Sequence, residues 1–111
     1  MDMREETRNG ILVLRPSGTL DSGCAAAFEK RVAQALAGRK ARVVIDMAGV
    51  GGVGSAGLRS LLIASRRAQS AGSRIVLAGL SPAVRRSFDT CGLTGLFAMH
   101  ADVDAAVRAM G

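Results

Sequence analysis

Apolar positions in this chain form short runs separated by stretches with helical spacing. Five segments are predicted to be strands: Arg4 to Arg8, Ile11 to Leu14, Arg42 to Met47, Arg74 to Ala78 and Leu96 to Met99. Asn9-Gly10 predicts a hairpin turn between the first two, and Pro16-Ser17-Gly18 is expected to end the second. Val43, Val44 and Ile45 are consecutive and β-branched, which is typical of a strand buried on both faces.

Four helices are predicted from apolar periodicity and end signals. Their boundaries are Asp21 or Ser22 as N-cap to Gly38, Ser55 to Ser70 followed by Ala71-Gly72, Ser81-Pro82 to Cys91-Gly92-Leu93, and Asp102 as N-cap to Gly111. Strands and helices therefore alternate within 111 residues. This pattern predicts one domain over residues 1–111, an α/β or α+β sheet with helices packed mainly on one side.

Composition excludes several function classes. The chain is 49% hydrophobic with mean hydropathy +0.26, but only 3% aromatic. We therefore expect an aliphatic core and no RNA recognition by base stacking. No apolar run is long enough to span a bilayer, and the charged first ten residues lack a signal-peptide pattern. Cys24 and Cys91 match no metal spacing, which favours reduced thiols in a cytoplasmic protein without a metal.

Positive charge is concentrated in one part of the chain. The net charge is +6, and no acidic residue lies between Met47 and Phe88. Six arginines lie there: Arg59, Arg66, Arg67, Arg74, Arg85 and Arg86. They form either a solvated basic face or a docking surface for an acidic protein partner. Specific nucleic-acid binding is less favoured, because no helix-turn-helix, RNP-like or zinc-finger pattern accompanies the charge.

The segment from Val43 to Leu62 predicts a strand, a glycine-rich turn and a helix that begins at Ser55. A helix N-terminus favours an anion, a nucleotide phosphate or a phosphorylated serine. The glycines match G-x-G-x-x-G twice, but the acid that would hold a ribose is missing until Asp89. Leu58 occupies the lysine position of a Walker A loop, so nucleotide cofactors are not expected.

Candidate catalytic groups are few. His100 is the only histidine, and it cannot form a zinc site with two distant cysteines. Asp21 and Asp46 are expected near the C-terminal ends of neighbouring strands. They either converge at one sheet edge, or Asp21 caps a helix and Asp46 binds loop amides. With no further acid or base to complete a site, we do not expect an enzyme or a cofactor.

Five segments in order resemble the STAS domain of anti-sigma-factor antagonists. They are Gly18-Thr19-Leu20-Asp21, Val43-Val44-Ile45-Asp46, Ser55-Ala56-Gly57-Leu58, Gly72 to Leu77 and Cys91-Gly92-Leu93. The resemblance covers nearly the whole chain. It implies a STAS-type α/β domain with a mixed four- to five-stranded sheet, in a monomer or weak dimer without membrane attachment.

The resemblance also implies a function. Such proteins bind an anti-sigma factor, often a serine kinase of the histidine-kinase-like ATPase fold, and a phosphatase reverses phosphorylation of a loop serine. The family loop is Asp-Ser-Ser/Thr-Gly, so Ser55 takes the first hydroxyl position, while Gly54 and Ala56 replace the acid and the second hydroxyl. Residues expected to support this loop are Asp21, Asp46, Gly54, Ala56 and Gly57.

The predicted helix after Ser55 has two faces. Leu58, Leu61, Leu62, Ser65 and Ala68 are expected to face the sheet, and Arg59, Ile63, Arg66 and Arg67 share the other side. We expect the partner to bind Leu58, Arg59, Ile63, Arg66 and Arg67. Two alternatives remain open: a non-phosphorylated scaffold subunit of a lipid or anion transporter complex, and a small nucleotide- or nucleic-acid-binding protein.

Overall fold

The computed structural model describes residues 2–37 and 40–110. The strands are β1 (Asp2–Arg8), β2 (Ile11–Leu20), β3 (Arg42–Asp46), β4 (Val50–Val53), β5 (Arg74–Ala78) and β6 (Met99–His100). The helices are α1 (Ala25–Ala35), α2 (Ser55–Ala71), α3 (Pro82–Thr90) and α4 (Val103–Met110), with a 3₁₀ turn at Thr94–Leu96. The predicted helix ends at Gly38 and Gly111 lie outside the described residues.

The strands form one mixed sheet in the order β1-β2-β3-β5-β6. β1 and β2 are antiparallel and joined at Asn9 and Gly10, whose φ angles of 52° and 77° confirm the predicted hairpin turn. The other pairings are parallel, and β4 pairs with the far end of β2, where Leu20 lies opposite Val53. The carboxyl end of β2 and the start of α2 are thereby brought together.

Side chains alternate between two apolar layers along the buried strands. Val43, Ile45 and Leu77 pack in the layer that contains residues of α1, α2 and α3. Their neighbours Val44 and Val76 pack in the layer that contains residues of α4. Three helices thus lie on one face and one helix on the other, which confirms that the helices pack mainly on one side.

The sheet has six strands, more than the four or five expected. β2 does not end at Pro16-Ser17-Gly18 but continues to Leu20, with an irregularity after Gly18, whose φ is 105°. The segment that was predicted as a glycine-rich turn pairs with this extension of β2 and forms β4. The last short strand is present, but its predicted bounds of Leu96 to Met99 are wrong. A 3₁₀ turn ends at Leu96, and only Met99–His100 pairs with β5.

Two of the predicted helix caps are confirmed. The Ser81 hydroxyl accepts a hydrogen bond from the Val84 amide at 3.2 Å, with Pro82 in the first turn, and Asp102 accepts from the Ala105 amide at 2.8 Å. The predicted N-cap of α1, Asp21 or Ser22, is wrong. This helix begins at Ala25 after Cys24, because the Asp21 side chain makes a turn with the amide of Gly23.

Candidate functional site

The site is built at the first turn of α2. Gly54 is its N-cap, with an extended backbone (φ −85°, ψ 178°), and Ser55 is the first helical residue. Ser55 is therefore not the N-cap of α2. The first amides of a helix have no intrahelical acceptor, and this turn carries no acidic side chain. The end of the helix that holds Ser55 is consequently electropositive.

The Ser55 side chain is exposed. Within residues 2–37 and 40–110 its hydroxyl has no hydrogen-bond partner. Ser60 differs in both respects, since it is 2% exposed and its hydroxyl donates to the carbonyl of Ala56 at 3.0 Å. Of these two serines in the first half of α2, only Ser55 presents a hydroxyl that another protein can reach.

Gly57 fixes the position of this turn against the sheet. A Cβ atom at residue 57 would lie 2.3 Å from the Leu20 carbonyl oxygen and 2.9 Å from Cγ1 of Val53. These two residues end β2 and β4, respectively. Because the helix backbone touches both strand ends, Gly57 sets where the exposed Ser55 is held, which agrees with its expected supporting role.

Asp21 and Gly54 lie next to each other beside Ser55. A Cβ atom at Gly54 would be 3.8 Å from Cβ of Asp21, and the amide of Gly54 donates to the Leu20 carbonyl at 2.9 Å. The Asp21 carboxylate accepts from the Gly23 amide at 2.9 Å. Of the two carboxylates expected near the loop, Asp21 lies there. Ala56 is half-buried within the first turn.

Asp46 does not support this loop. Its carboxylate binds Nε of Arg15 at 3.2 Å and the Ala48 amide at 3.0 Å. Parallel pairing of Leu14 with Ile45 places Asp46 beside Arg15, and Asp21 lies six residues further along the chain than Arg15, roughly 20 Å at the rise of a strand. The expectation that Asp21 and Asp46 converge is therefore wrong, because β2 continues well beyond the end of β3.

The buried face of α2 differs from the prediction at one position. Leu58, Leu61, Ser65 and Ala68 are buried as expected, but Leu62 is only half-buried. Gly57, Leu61, Ala64 and Ala68 follow the spacing of a single face, and Leu62 is turned about 100° from Leu61. Its side chain instead follows Ser55 by seven residues, which places it on the outer side of the helix.

We call Ser55, Arg59, Leu62, Ile63 and Arg66 the outward stripe. Arg59 and Arg66 are exposed, and the two apolar side chains between them are half-buried. Leu58 is not part of this surface, because it is 8% exposed and belongs to the core. The exposed Arg67 lies at the side of the stripe that faces α1. Half-exposed apolar groups inside a polar rim are typical of protein interfaces.

A cleft beside Ser55 contains residues that sequence analysis did not identify. It is about 370 Å³ in volume, and α3 contributes Arg86, Ser87 and Thr90 to its wall. α3 reaches this place by packing against β4, a strand that the apolar pattern did not predict. No local signal in the sequence relates Arg86 to Ser55.

Charge is distributed unevenly over the surface. The ion pairs join Arg8, Arg15 and Arg31 to carboxylates of β1, β3 and α4. The hydrogen bond from Arg31 holds the pKa of Glu5 below its usual value. The five arginines of α2 and α3 are exposed, and none forms an ion pair within the described residues. This side of the domain therefore carries an excess of positive charge, against which α2 and α3 set one carboxylate, that of Asp89.

The described residues form neither a metal site nor a helix that could span a membrane. No group of three His, Cys, Asp or Glu side chains in residues 2–37 and 40–110 is arranged to hold a metal ion. Cys24 is half-buried and Cys91 exposed, and the two are not joined to each other. None of the helices in the described part of the chain has the length and apolar character needed to cross a membrane.

The sequence model of the STAS domain family matches residues 2–106. This chain belongs to the STAS domain family. BtrV of Bordetella bronchiseptica, a protein named as a candidate anti-sigma factor antagonist, is 28% identical over 109 residues, which cover 98% of this chain and 94% of that protein.

Two solved structures resemble the domain. An anti-sigma factor antagonist from Mycobacterium paratuberculosis has a TM-score of 0.80 at 29% identity, covering 97% of this chain and 92% of that one. The Bacillus cell fate determinant SpoIIAA in its phosphorylated form has a TM-score of 0.74 at 20% identity, covering 99% and 100%. The second likeness, at that identity, shows the fold alone.

Proposed function

We propose that this STAS domain is an anti-sigma factor antagonist. It binds an anti-sigma factor that is also a serine kinase of the histidine-kinase-like ATPase fold, and the outward stripe forms the centre of the contact. The kinase phosphorylates Ser55 and the complex dissociates, and a phosphatase restores binding. In this role the domain acts by binding and is a substrate of the kinase, with no catalytic activity or cofactor of its own.

The observation that carries this proposal is the position of Ser55. Its exposed hydroxyl has no partner within the described residues and stands at the electropositive end of α2, on the same side as Leu62 and Ile63. A modification there lies inside the proposed contact. The names of BtrV and the mycobacterial relative support the same role.

A phosphate on Ser55 is expected to lower the affinity for the partner without unfolding the domain. It adds about −1.5 to −2 charges, and the helix N-terminus stabilises negative charge, so the domain stays folded. In the interface the same group must be desolvated and repels carboxylates of the partner. A penalty of about 3 kcal/mol lowers affinity on the order of 10²-fold, which is sufficient to dissociate a micromolar complex.

Incubation with the cognate kinase and ATP is expected to add one phosphate, at Ser55. Ser55→Ala should abolish the modification, as measured by intact-protein and peptide mass spectrometry. Thr90→Ala is the matched control, because Thr90 is an exposed hydroxyl residue in the same cleft, and this variant should be phosphorylated like the parent. Phosphate at Ser60 or Thr90, or none with a kinase that binds the domain, would contradict the assignment.

Gly54→Asp is expected to be accepted by the fold and to increase phosphorylation. The nearest atoms to a Cβ at residue 54 are 3.8 Å away, and the backbone φ of −85° suits any residue. Aspartate is also a good N-cap, although Asp21 lies close. We expect the Tm to change by no more than about 3 °C and the kinase reaction to be faster. An unchanged rate would show that the family acid has no role in kinase recognition here.

A second candidate function is favoured by the loop itself. Gly54 and Ala56 stand where the family loop has an acid and a second hydroxyl, and a scaffold that is never phosphorylated needs neither. Such a domain would assemble with a lipid or anion transporter complex through the same stripe. Stable binding to a transporter subunit, together with an unmodified Ser55 in cells, would favour this function over the partner switch.

A further inference from the structure

A groove between α1 and α2 adjoins the outward stripe and shares Ile63 and Arg66 with it. Its volume is about 650 Å³, and it is lined by Ala33, Leu36, Ala37, Ile63, Arg66, Arg67, Ser70 and Ala71. Apolar side chains at the end of α1 and just after it form one wall. The other wall belongs to the second half of α2, about 12 to 24 Å along the helix axis from Ser55 at 1.5 Å per residue. The groove is thus separate from the phosphorylation site but on the same side of the domain.

The groove is apolar at its base and positively charged along one edge. Leu36 is buried and Ile63 half-buried, whereas Arg66 and Arg67 are exposed. None of the described residues that line the groove carries a carboxylate, and neither arginine has an acidic partner within residues 2–37 and 40–110. The charge that would complement this edge is therefore absent from the described part of the domain.

We propose that this groove binds an acidic amphipathic helix of a protein partner. One apolar side chain of that helix would pack between Ala33 and Ile63, and its flanking carboxylates would pair with Arg66 and Arg67. Arginine presents a planar fork that matches a carboxylate, and helix-in-groove recognition uses such apolar anchors. The inference rests on the proposed function for the identity of the partner, the anti-sigma factor, and adds a second anchor for it.

The two anchors have different roles. Phosphate on Ser55 acts at the first turn of α2, about 18 Å from Arg67, and the groove is not altered by it. The groove therefore supplies affinity that is common to the phosphorylated and unphosphorylated states. Its arginines also attract an acidic partner during encounter. Loss of the groove contact should lower the affinity of both the phosphorylated and the unphosphorylated domain for the partner, whereas phosphorylation lowers the affinity that the outward stripe supplies.

The test uses fluorescence anisotropy with a synthetic probe and the full chain. The probe is a labelled helical peptide that carries one leucine stripe flanked by glutamates, and glutamine replaces each glutamate in the control peptide. We expect the acidic peptide to bind at least about 10-fold more tightly than the control at low salt, and the difference to shrink as salt screens the charges. Equal binding of the two peptides would overturn the proposal.

Variants of the domain locate the binding. Arg66→Glu with Arg67→Glu should weaken the acidic peptide by about 10-fold or more, because two favourable rim charges become repulsive. The control is the double variant Arg85→Glu with Arg108→Glu, which has the same net charge as the first double variant. Its two substitutions are at exposed residues outside the groove lining, so its affinity for the acidic peptide should stay within about twofold of the parent. Similar losses in both double variants would show a nonspecific charge effect and overturn the assignment to the groove.

A third variant tests the apolar part of the groove without changing charge. Ala33→Leu fills space beside Ile63 and is favourable in a helix, so the Tm should be maintained while the peptide affinity falls.

Vesicles of phosphatidylcholine and phosphatidylserine in equal amounts test the competing ligand, a lipid surface. Vesicle binding at about 0.15 M salt that is lost only in the Arg66 and Arg67 variant would identify a lipid surface and overturn the peptide assignment.

Failure of this inference is distinguishable from failure of the proposed function. The groove is tested with a synthetic peptide, whereas the switch is tested by kinase-dependent phosphate at Ser55. If the domain is phosphorylated at Ser55 but does not bind the acidic peptide, the proposed switch stands and the groove proposal fails. If the domain binds the peptide but a bound kinase does not phosphorylate it, the groove proposal stands and the proposed switch fails.

Discussion

Gly57→Val is expected to destabilise the domain and to displace the first turn of α2. A Cβ atom at this position would lie 2.3 Å from a backbone oxygen of Leu20 and 2.8 Å from its Cγ. Leu20 is the last residue of β2, and its backbone oxygen cannot move aside as a flexible side chain would. Overpacking of this kind costs about 3 kcal/mol or more, so the Tm should fall by roughly 10 °C or more, as measured by calorimetry.

Gly51→Ala, in the strand that precedes α2, is the control. Gly51 lies in β4, is exposed, and has no atom within 4 Å of the place its Cβ would take. We expect a Tm within about 3 °C of the parent. Since Gly57 also sets the position of Ser55, the valine variant should be phosphorylated poorly even at temperatures where it is folded. A stable Gly57→Val domain with normal phosphorylation would mean that α2 is not seated on the strand ends as described.

Elements defined by local patterns were predictable from the sequence. Consecutive β-branched residues at Val43 to Ile45 identified β3, and the hydroxyl and carboxylate at Ser81 and Asp102 identified the starts of two helices. In each case the determining interaction lies within a few residues of the chain. The order of these segments was also sufficient to identify the family, because family resemblance reads many local motifs together.

Nonlocal pairing accounts for what was missed. Val50 to Val53 contains two glycines and no apolar run, so it becomes β4 only because β2 extends far enough to pair with it. The same extension separates Asp46 from Asp21. Asp21 follows β2 and Asp46 ends β3. The sequence does not give the relative lengths of the two strands, and these lengths decide whether the carboxylates meet.

The candidate site was predicted in part. Ser55 was correctly placed at the start of α2, but its role as first helical residue, rather than N-cap, depends on the backbone of Gly54. Leu62 was assigned to the wrong face, because an apolar residue adjacent to Leu61 was assumed to be buried with it. Helical spacing from Gly57, Leu61 and Ala68 alone would have placed Leu62 outside.

The orientation of Leu62 leads to the second prediction. Leu62→Asp and Ile63→Asp are expected to abolish binding to the anti-sigma factor while the domain remains folded. Each places a charge among the apolar groups of the outward stripe, where contact with the partner would desolvate it. We expect affinity to fall on the order of 100-fold and the Tm to change by only a few degrees, as measured by calorimetric titration and thermal unfolding.

Leu61→Asp is the control that separates binding from stability. Leu61 is adjacent to Leu62 in sequence but is 0% exposed within the core of α2 and the sheet. An aspartate there is buried without a partner, at a cost of several kcal/mol, so this variant should be unfolded at ordinary temperature. If Leu62→Asp also unfolds the domain, α2 is rotated from the orientation described. If it leaves both stability and binding intact, the partner contacts another surface and the arginines of the stripe are only solvated. A stable Leu62→Asp domain that has lost binding, beside an unfolded Leu61→Asp domain, is the single combination that the outward stripe requires.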